Sequence, residues 1–442
     1  MVVGTIIGAS IFVQPSVISG EVPTVGGMLL VWAVAGALTL IGALVTAELA
    51  SAFPRVGGVY VFLTEAFSPL AGFLWCWAMF WSMHTGIIAA LAMVFARYVG
   101  YFVPLDDGGL RLVAVAAIAA LSAINYVSVR QGSALQTTLT VIKVAAIALV
   151  IALGAAYALG ALPAAAPHAT ATAQTAETAR AVVPSWDAFV TALVAALFAY
   201  GGWHMVTYAA GETVDPTRTI PRALLVGTLA VTVCYVGVNA AYLAVLPLRT
   251  VVSSARVAAD FADAVLGTGG AAVLSALVIV STLGSMTGII LAGPRAYLSA
   301  AEDGLLPRWA GAVHPRFRTP HLAIAAQAVW ASVLVATGTY RALFTRVVYT
   351  EWIFFGLMAA GIVLLRRRPG YAPRYRAWGY PVLPALFVAS TVLIVATQLV
   401  RQPAESVTGL LFVLAGVPVY YFIAGSRRRR SSASEAATRA SR

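Results

Sequence analysis

The chemistry in this chain gathers at a few polar or conformationally free residues set inside long apolar stretches. Two glycine-broken segments stand out. One is Gly4-Thr5-Ile6-Ile7-Gly8-Ala9-Ser10-Ile11-Phe12, and the other is Phe198-Ala199-Tyr200-Gly201-Gly202-Trp203. A backbone in hydrocarbon cannot leave amides and carbonyls unpaired, so a spanning helix is broken only where it lines protein or a water-filled cavity. Unwinding at the first break frees amides at Gly8, Ala9 and Ser10 on one side and carbonyls on the other. Free amides at the positive end of a half-helix suit a carboxylate, and free carbonyls suit an ammonium. A zwitterion needs both, so the backbone alone points to an amino acid.

Each of these features also has an ordinary structural explanation. Gly4-x-x-x-Gly8 is the small-residue spacing that lets two helices pack closely. Phe198, Tyr200 and Trp203 taken singly are common membrane-core aromatics; taken together around Gly201-Gly202 they suit a lid or wall over an apolar side chain. Lys143 lies deep in Thr140-Val141-Ile142-Lys143-Val144-Ala145-Ala146-Ile147, where a charge costs about 3 kcal/mol on insertion scales. It stands about ten residues from either end of its segment, a long reach for a snorkelling side chain. Pairing with the freed carbonyls of a broken helix, as a fixed or titratable positive charge, is the expected role. His84 and His204 are intramembrane, and His204, directly after the second break, is a weak candidate for pH response. Glu351, beside Trp352 at the outer start of its segment, is a weak gate candidate and more simply an interfacial charge. Cys76 and Cys234 have no metal or redox spacing and read as small core residues. No metal cluster, phosphate loop or nucleophile triad is visible, so no cofactor is expected and the chain does not read as an enzyme.

The elements that position these residues are membrane spans. The chain has 442 residues, 61% hydrophobic and 10% charged, with a mean hydropathy of +0.89. Soluble domains carry about 25% charged residues, so this is a polytopic membrane protein. On a scale of roughly 20 apolar residues per crossing, segments fall at 2–19, 27–47, 70–99, 110–129, 133–158, 188–210, 221–246, 269–298, 321–338, 343–365, 381–400 and 407–424. With the amino terminus inside, 19 arginines lie on cytoplasmic loops and the tail against 8 outside. That asymmetry places both termini in the cytoplasm. The net charge of +12 is therefore a topology signal rather than a nucleic-acid footprint, and Arg427–Arg430 anchor to anionic lipid. Residues 159–187 read as an external loop and 425–442 as a disordered basic tail. The first break follows Met1 by only about seven residues, short of the roughly ten a half-helix needs, so the true chain is expected to begin upstream. No cleavable signal is apparent.

At these residues the chain resembles the amino acid–polyamine–organocation (APC) superfamily, and most closely its L-type amino acid transporter branch and bacterial relatives. Gly4 to Phe12 resembles the first-helix motif. Phe198 to Trp203, with Glu212-Thr213-Val214-Asp215-Pro216-Thr217-Arg218-Thr219-Ile220-Pro221-Arg222, resembles the sixth helix and the loop after it. Arg295-Ala296-Tyr297 with Glu302-Asp303-Gly304-Leu305-Leu306-Pro307 resembles the eighth-helix exit, and Trp352 through Arg366-Arg367-Arg368-Pro369 resembles the tenth helix. The resemblance implies an all-α integral membrane fold of about 12 transmembrane helices, with a 5+5 inverted-repeat (LeuT-like) core and discontinuous helices 1 and 6. The repeats would be 1–158 and 188–365, with two added helices in 366–424. It also implies a carboxylate on the amides of Gly8, Ala9 and Ser10, and an amino group near the carbonyls of Ile7 and Phe198–Tyr200, with Phe198 as outer lid. Lys143 matches a fifth-helix lysine of sodium-independent members whose amine takes the place of sodium. Ser10 departs from the family, which usually has glycine there.

The reading that follows is a bacterial inner-membrane secondary transporter of neutral L-amino acids, sodium-independent, working by alternating access as exchanger or proton-linked permease. Its substrate-binding residues are Ile7, Gly8, Ala9, Ser10, Phe198, Ala199, Tyr200, Gly201, Gly202 and Trp203. A carrier of cationic amino acids or polyamines is the nearest alternative, disfavoured because no acidic residue is placed at mid-membrane. A transporter-like sensor would carry a signalling domain, and a channel would show a polar stripe.

Overall fold

The computed structural model describes residues 1–127, 129–162, 185–267, 269–338 and 340–440. The described residues form helices and connecting turns, with no strand among them. A backbone that closes its hydrogen bonds within one segment is what a bilayer demands, and the long Ala-, Leu- and Val-rich stretches supply it.

Ten helices are long and apolar enough to cross a membrane. A shorter apolar helix, His321–Thr337, and a broken first segment bring the crossings to twelve. Span 1 consists of Val2–Ile6, a 3-10 turn Ala9–Phe12 and Gln14–Glu21. Span 2 is Val25–Ala52, span 3 Pro69–Val99, span 4 Asp107–Val127 and span 5 Val129–Ala158. Span 6 is Trp186–Ala199 followed by the 3-10 stretch Trp203–Glu212; span 7 is Pro216–Val245, span 8 Gly270–Glu302 and span 9 His321–Thr337. Span 10 is Tyr340–Arg366, span 11 Val382–Arg401 and span 12 Pro403–Ala440. The backbone of 425–440 continues this last helix where the sequence suggests disorder; Ala and Arg, frequent there, are good helix formers. Most of the segment 159–187 lies outside the described residues.

Local sequence sets where the spans begin. Thr24 caps span 2, its hydroxyl accepting from the Gly27 amide at 3.2 Å, and Ser68 caps span 3 ahead of Pro69. Both follow the rule that a side-chain oxygen satisfies an orphan amide and that proline is tolerated in the first turn. Inside span 3, the turn Met79–Met83 widens to π geometry, a local bulge of the kind that re-aims side chains.

The packing repeats with a step of five. Spans 2 and 7 pack on each other, as do 3 and 8, and 4 and 9. Span 5 against 8 is matched by span 10 against 3, and span 1 against 7 by span 6 against 2. An odd number of crossings per repeat makes the second repeat start on the opposite side of the membrane, so the two five-span halves are inverted. Close approach of spans 2 and 7 rests on Gly36, where a Cβ would come within 2.3 Å of the Thr232 side chain; small residues permit such contacts between lipid-embedded helices.

One end of the bundle is laced by ion pairs. Glu48, fully buried on span 2, accepts from Arg366 Nε at 2.8 Å, Tyr371 Oη at 3.2 Å and the Ala377 amide at 2.7 Å. Arg295 holds Glu212 at 2.8 and 3.1 Å, Arg55 pairs with Glu65, and Asp215 meets Arg374 and Arg218. The sequence places these acids at segment ends with Arg55, Arg218 and Arg295 as partners. Glu48 instead finds Arg366, which is 318 residues away in the chain, and Asp303 takes the Tyr60 hydroxyl. Burial, and then the Glu48 carboxylate, push the Tyr371 hydroxyl well above its ordinary pKa.

Candidate functional site

Both breaks are real interruptions of helical geometry. Ile7 ends the first half of span 1 at φ −67°, ψ 97°, and Gly8 is extended at φ −113°, ψ −171°. In span 6 the helix stops at Tyr200, and Gly202 turns through the left-handed region at φ 97°. A Cβ at Gly202 would stand 2.9 Å from the Thr5 carbonyl oxygen. Only glycine accepts both that φ and that approach. The two breaks therefore touch.

A small cavity of about 20 Å³ lies where they meet, room for about one water and well below the roughly 300–1,000 Å³ of an open small-molecule site. Span 1 contributes Thr5, Ile6, Gly8 and Ser10, and span 6 contributes Phe198, Ala199, Gly201, Gly202 and Met205. Ile87 and Leu91 of span 3, Ser285 and Ile289 of span 8, and Val347 and Glu351 of span 10 close it. Ala9 and Ser10 open the second half of span 1, so their amides precede the first helical turn and have no intrahelical acceptor.

The freed carbonyls are not idle. Lys143, fully buried on span 5, places Nζ 2.6 Å from the Gly4 carbonyl, 2.6 Å from the Ile7 carbonyl and 3.0 Å from Ser285 Oγ. Ser285 Oγ in turn lies 3.1 Å from the Ile7 carbonyl. An ammonium with several oxygen neighbours at bonding distance is a charge held by dipoles, the environment that makes a mid-membrane lysine tolerable. On the other side of span 1, the Tyr235 hydroxyl of span 7 lies 3.0 Å from both the Ile6 and the Ala199 carbonyls. One phenol thus ties the two broken spans together.

Residues 1–424, nearly the whole chain, match the amino acid permease family profile. The chain belongs to the amino acid permease family. It is 30% identical to the serine/threonine exchanger SteT of Bacillus subtilis over 436 residues, covering 98% of this chain and 96% of that protein. It is 30% identical to the human large neutral amino acids transporter small subunit 2 over 429 residues, covering 95% and 78%. It is 29% identical to the human cystine/glutamate transporter over 440 residues, covering 97% and 85%. These relatives are transporters and not enzymes, and this permease is a multi-pass membrane protein of an amino acid transporter family.

In this permease the residues singled out by sequence divide into two groups. Gly8, Ser10, Phe198, Ala199, Gly201 and Gly202 line the cavity, and the Phe198 ring packs on Phe344 with centroids 5.5 Å apart. Ile7 contributes through its carbonyl to Lys143 rather than through the cavity wall, and Ala9 is buried beside it. Tyr200 and Trp203 do not form a lid. The Tyr200 hydroxyl bonds to the Trp32 carbonyl at 3.1 Å, and Trp203 stacks toward Phe355 and Gly42. The reason is geometric: two residues along a helix is about 200° around its axis, so Phe198 and Tyr200 face opposite ways, and past the turn at Gly202 Trp203 packs away from the cavity, against span 2 and span 10. His204 is caged by Trp75, Trp203, Tyr208 and Phe355, and neither ring nitrogen has a hydrogen-bond partner among the described residues.

Glu351 requires a correction. It is not an interfacial charge at the start of its segment but sits midway along span 10, 4% exposed, in the cavity wall. The helix begins at Tyr340 rather than at 343, which puts Glu351 eleven residues in from its start. A pocket without carboxylates is therefore not what the chain builds. Sequence reasoning also missed Ser285 and Tyr235. The small polar run Gly284-Ser285-Met286-Thr287-Gly288 in a lipid-length helix was a usable signal for the first; nothing in the sequence separates Tyr235 from the other aromatics.

Proposed function

We propose that this permease carries L-amino acids across the cytoplasmic membrane by alternating access, as an exchanger or uptake carrier that does not use sodium. The observation that carries this reading is the Lys143 ammonium on the Gly4 and Ile7 carbonyls, beside a cavity where two broken spans meet. A cation is tethered where an unwound helix needs one, so no dissolved ion has to bind there. The amides opening the second half of span 1 suit the substrate carboxylate, and the carbonyls that end the first half of span 6 suit its amino group. The arginine-rich, ion-paired end faces the cytoplasm together with both termini, in keeping with the positive-inside rule. The relatives include a serine/threonine exchanger and a large neutral amino acids transporter subunit, which supports neutral substrates. Glu351 in the cavity removes the argument from a bare pocket, so the choice between neutral and cationic side chains turns on that residue.

The test is uptake of labelled L-alanine into proteoliposomes, with choline replacing sodium and with each of the twenty amino acids as competitor. Uptake that persists in choline and is competed by a subset of L-amino acids is the expected result. A strict sodium requirement, or no competition by any amino acid, would overturn the reading.

A further inference from the structure

The cavity wall is apolar except at two places. Thr5, Ser10 and Ser285 lie with the broken backbone, while Glu351 comes from span 10 with Val347, one helical turn before it, among the apolar lining residues Ile87, Leu91, Met205 and Ile289. No hydrogen bond or ion pair engages the Glu351 carboxylate among the described residues, although the residue is 4% exposed. Neither of the cations Lys143 and Arg346 is paired with it among the described residues. Lys143 is bound to two carbonyls and Ser285 Oγ, and the Arg346 guanidinium lies 5.9 Å from the centre of the Phe412 ring. The nearby Tyr208 hydroxyl is directed at Met79 Sδ, 3.6 Å away.

A carboxylate removed from water without a partner costs several kcal/mol, and burial of charge is stable only when it is paired. Closing the cavity over a substrate strips what water remains, so Glu351 stays ionised in the closed complex only if a positive charge reaches it. The substrate's own amino group is already provided for by the backbone carbonyls at the breaks. A charge that keeps it ionised would then come from further along the substrate. We propose that Glu351 is the side-chain selector of this permease and that its preferred substrates are L-amino acids whose side chains end in a cation. The inference rests on the amino acid carrier reading above and adds the substrate class to it. Glu351 contacts the side-chain cation directly, while the head group is read by spans 1 and 6.

L-Lysine and L-norleucine make the sharpest comparison, because they differ only by the terminal ammonium. With purified protein, their stabilisation against heat and their competition with labelled substrate in proteoliposomes are measured for wild type, Glu351→Gln and Glu351→Asp. A desolvated charge pair is typically strong enough that lysine should outcompete norleucine at least about tenfold in the wild type. Glu351→Gln should bring the two to parity or reverse their order, and Glu351→Asp should retain the preference for lysine. Cadaverine, which lacks the carboxylate, should bind poorly.

Wild-type protein that binds norleucine as well as lysine overturns the proposal, and this holds even if Glu351→Gln fails to fold. An unchanged lysine-to-norleucine ratio in Glu351→Gln also overturns it. So does norleucine uptake accompanied by one proton, with the proton lost in Glu351→Gln, which would make Glu351 a proton carrier instead. Binding of neutral amino acids alone sinks only the side-chain proposal. Binding of no amino acid at all sinks the carrier reading beneath it.

Discussion

Replacing Lys143 tests the geometry at the first break most directly. In Lys143→Met the side-chain volume stays close to native while the ammonium is lost. The Gly4 carbonyl then loses the cation that stands 2.6 Å away, whereas the Ile7 carbonyl keeps Ser285 Oγ at 3.1 Å. One orphaned buried acceptor costs about 1–3 kcal/mol, and a hydrogen bond from a charged donor is itself worth about 1.5–3 kcal/mol. Since the Ile7 loss is partly compensated, the sum comes to roughly 2–4 kcal/mol. If that penalty falls on the closed, substrate-bound state, exchange slows by about 30- to 1,000-fold at 1.36 kcal/mol per tenfold. The assay is exchange of labelled amino acid in proteoliposomes, read beside thermal denaturation in detergent to separate transport from folding. Exchange within threefold of wild type, in a folded Lys143→Met protein, would refute the claim that the ammonium holds the broken helix in its working form.

Tyr235→Phe removes the hydroxyl shared by the Ile6 and Ala199 carbonyls, at an expected cost of about 1–3 kcal/mol. Exchange should fall by about tenfold or more while the protein stays folded, and native exchange rates would show that the bridge is dispensable. Gly202→Ala adds a Cβ 2.9 Å from the Thr5 carbonyl at a φ of 97°; backbone strain of about 1–3 kcal/mol should impair transport severely, as measured by uptake at saturating substrate. Glu48→Gln breaks the buried pair with Arg366, a change typically worth about 3–5 kcal/mol. Its signature should be a lower melting temperature in detergent, and an unchanged one would mean that the pair contributes little.

The spans were legible because lipid imposes a uniform solvent: twenty apolar residues read as a crossing whatever their neighbours are. The breaks were legible because glycine pairs in such a stretch have few other uses, and Lys143 because a lone charge at that depth needs a partner. Tyr200 and Trp203 failed as wall residues because sequence adjacency says little about direction once a left-handed residue intervenes. Glu351 was misplaced because a position near the start of an apolar run says nothing of how deep the cavity lies, and the helix extends three residues further out, to Tyr340. The Glu48–Arg366 pair lay out of reach for another reason. Its members are 318 positions apart, and only the packing of span 2 beside span 10 and the loop that follows it brings them together.

The tether of Lys143 has a thermodynamic consequence. A cation that arrives from solution, binds and departs on the far side performs electrical work, about 2.3 kcal/mol per charge for each 100 mV crossed. The Lys143 ammonium is fastened to span 5 by four methylenes and never departs. As a fixed strut it would steady the unwound backbone without doing that work, and only a proton exchanged at the amine would couple it to a gradient. On the proposed reading, a carrier with its cation built in takes its direction from whatever else is loaded and released.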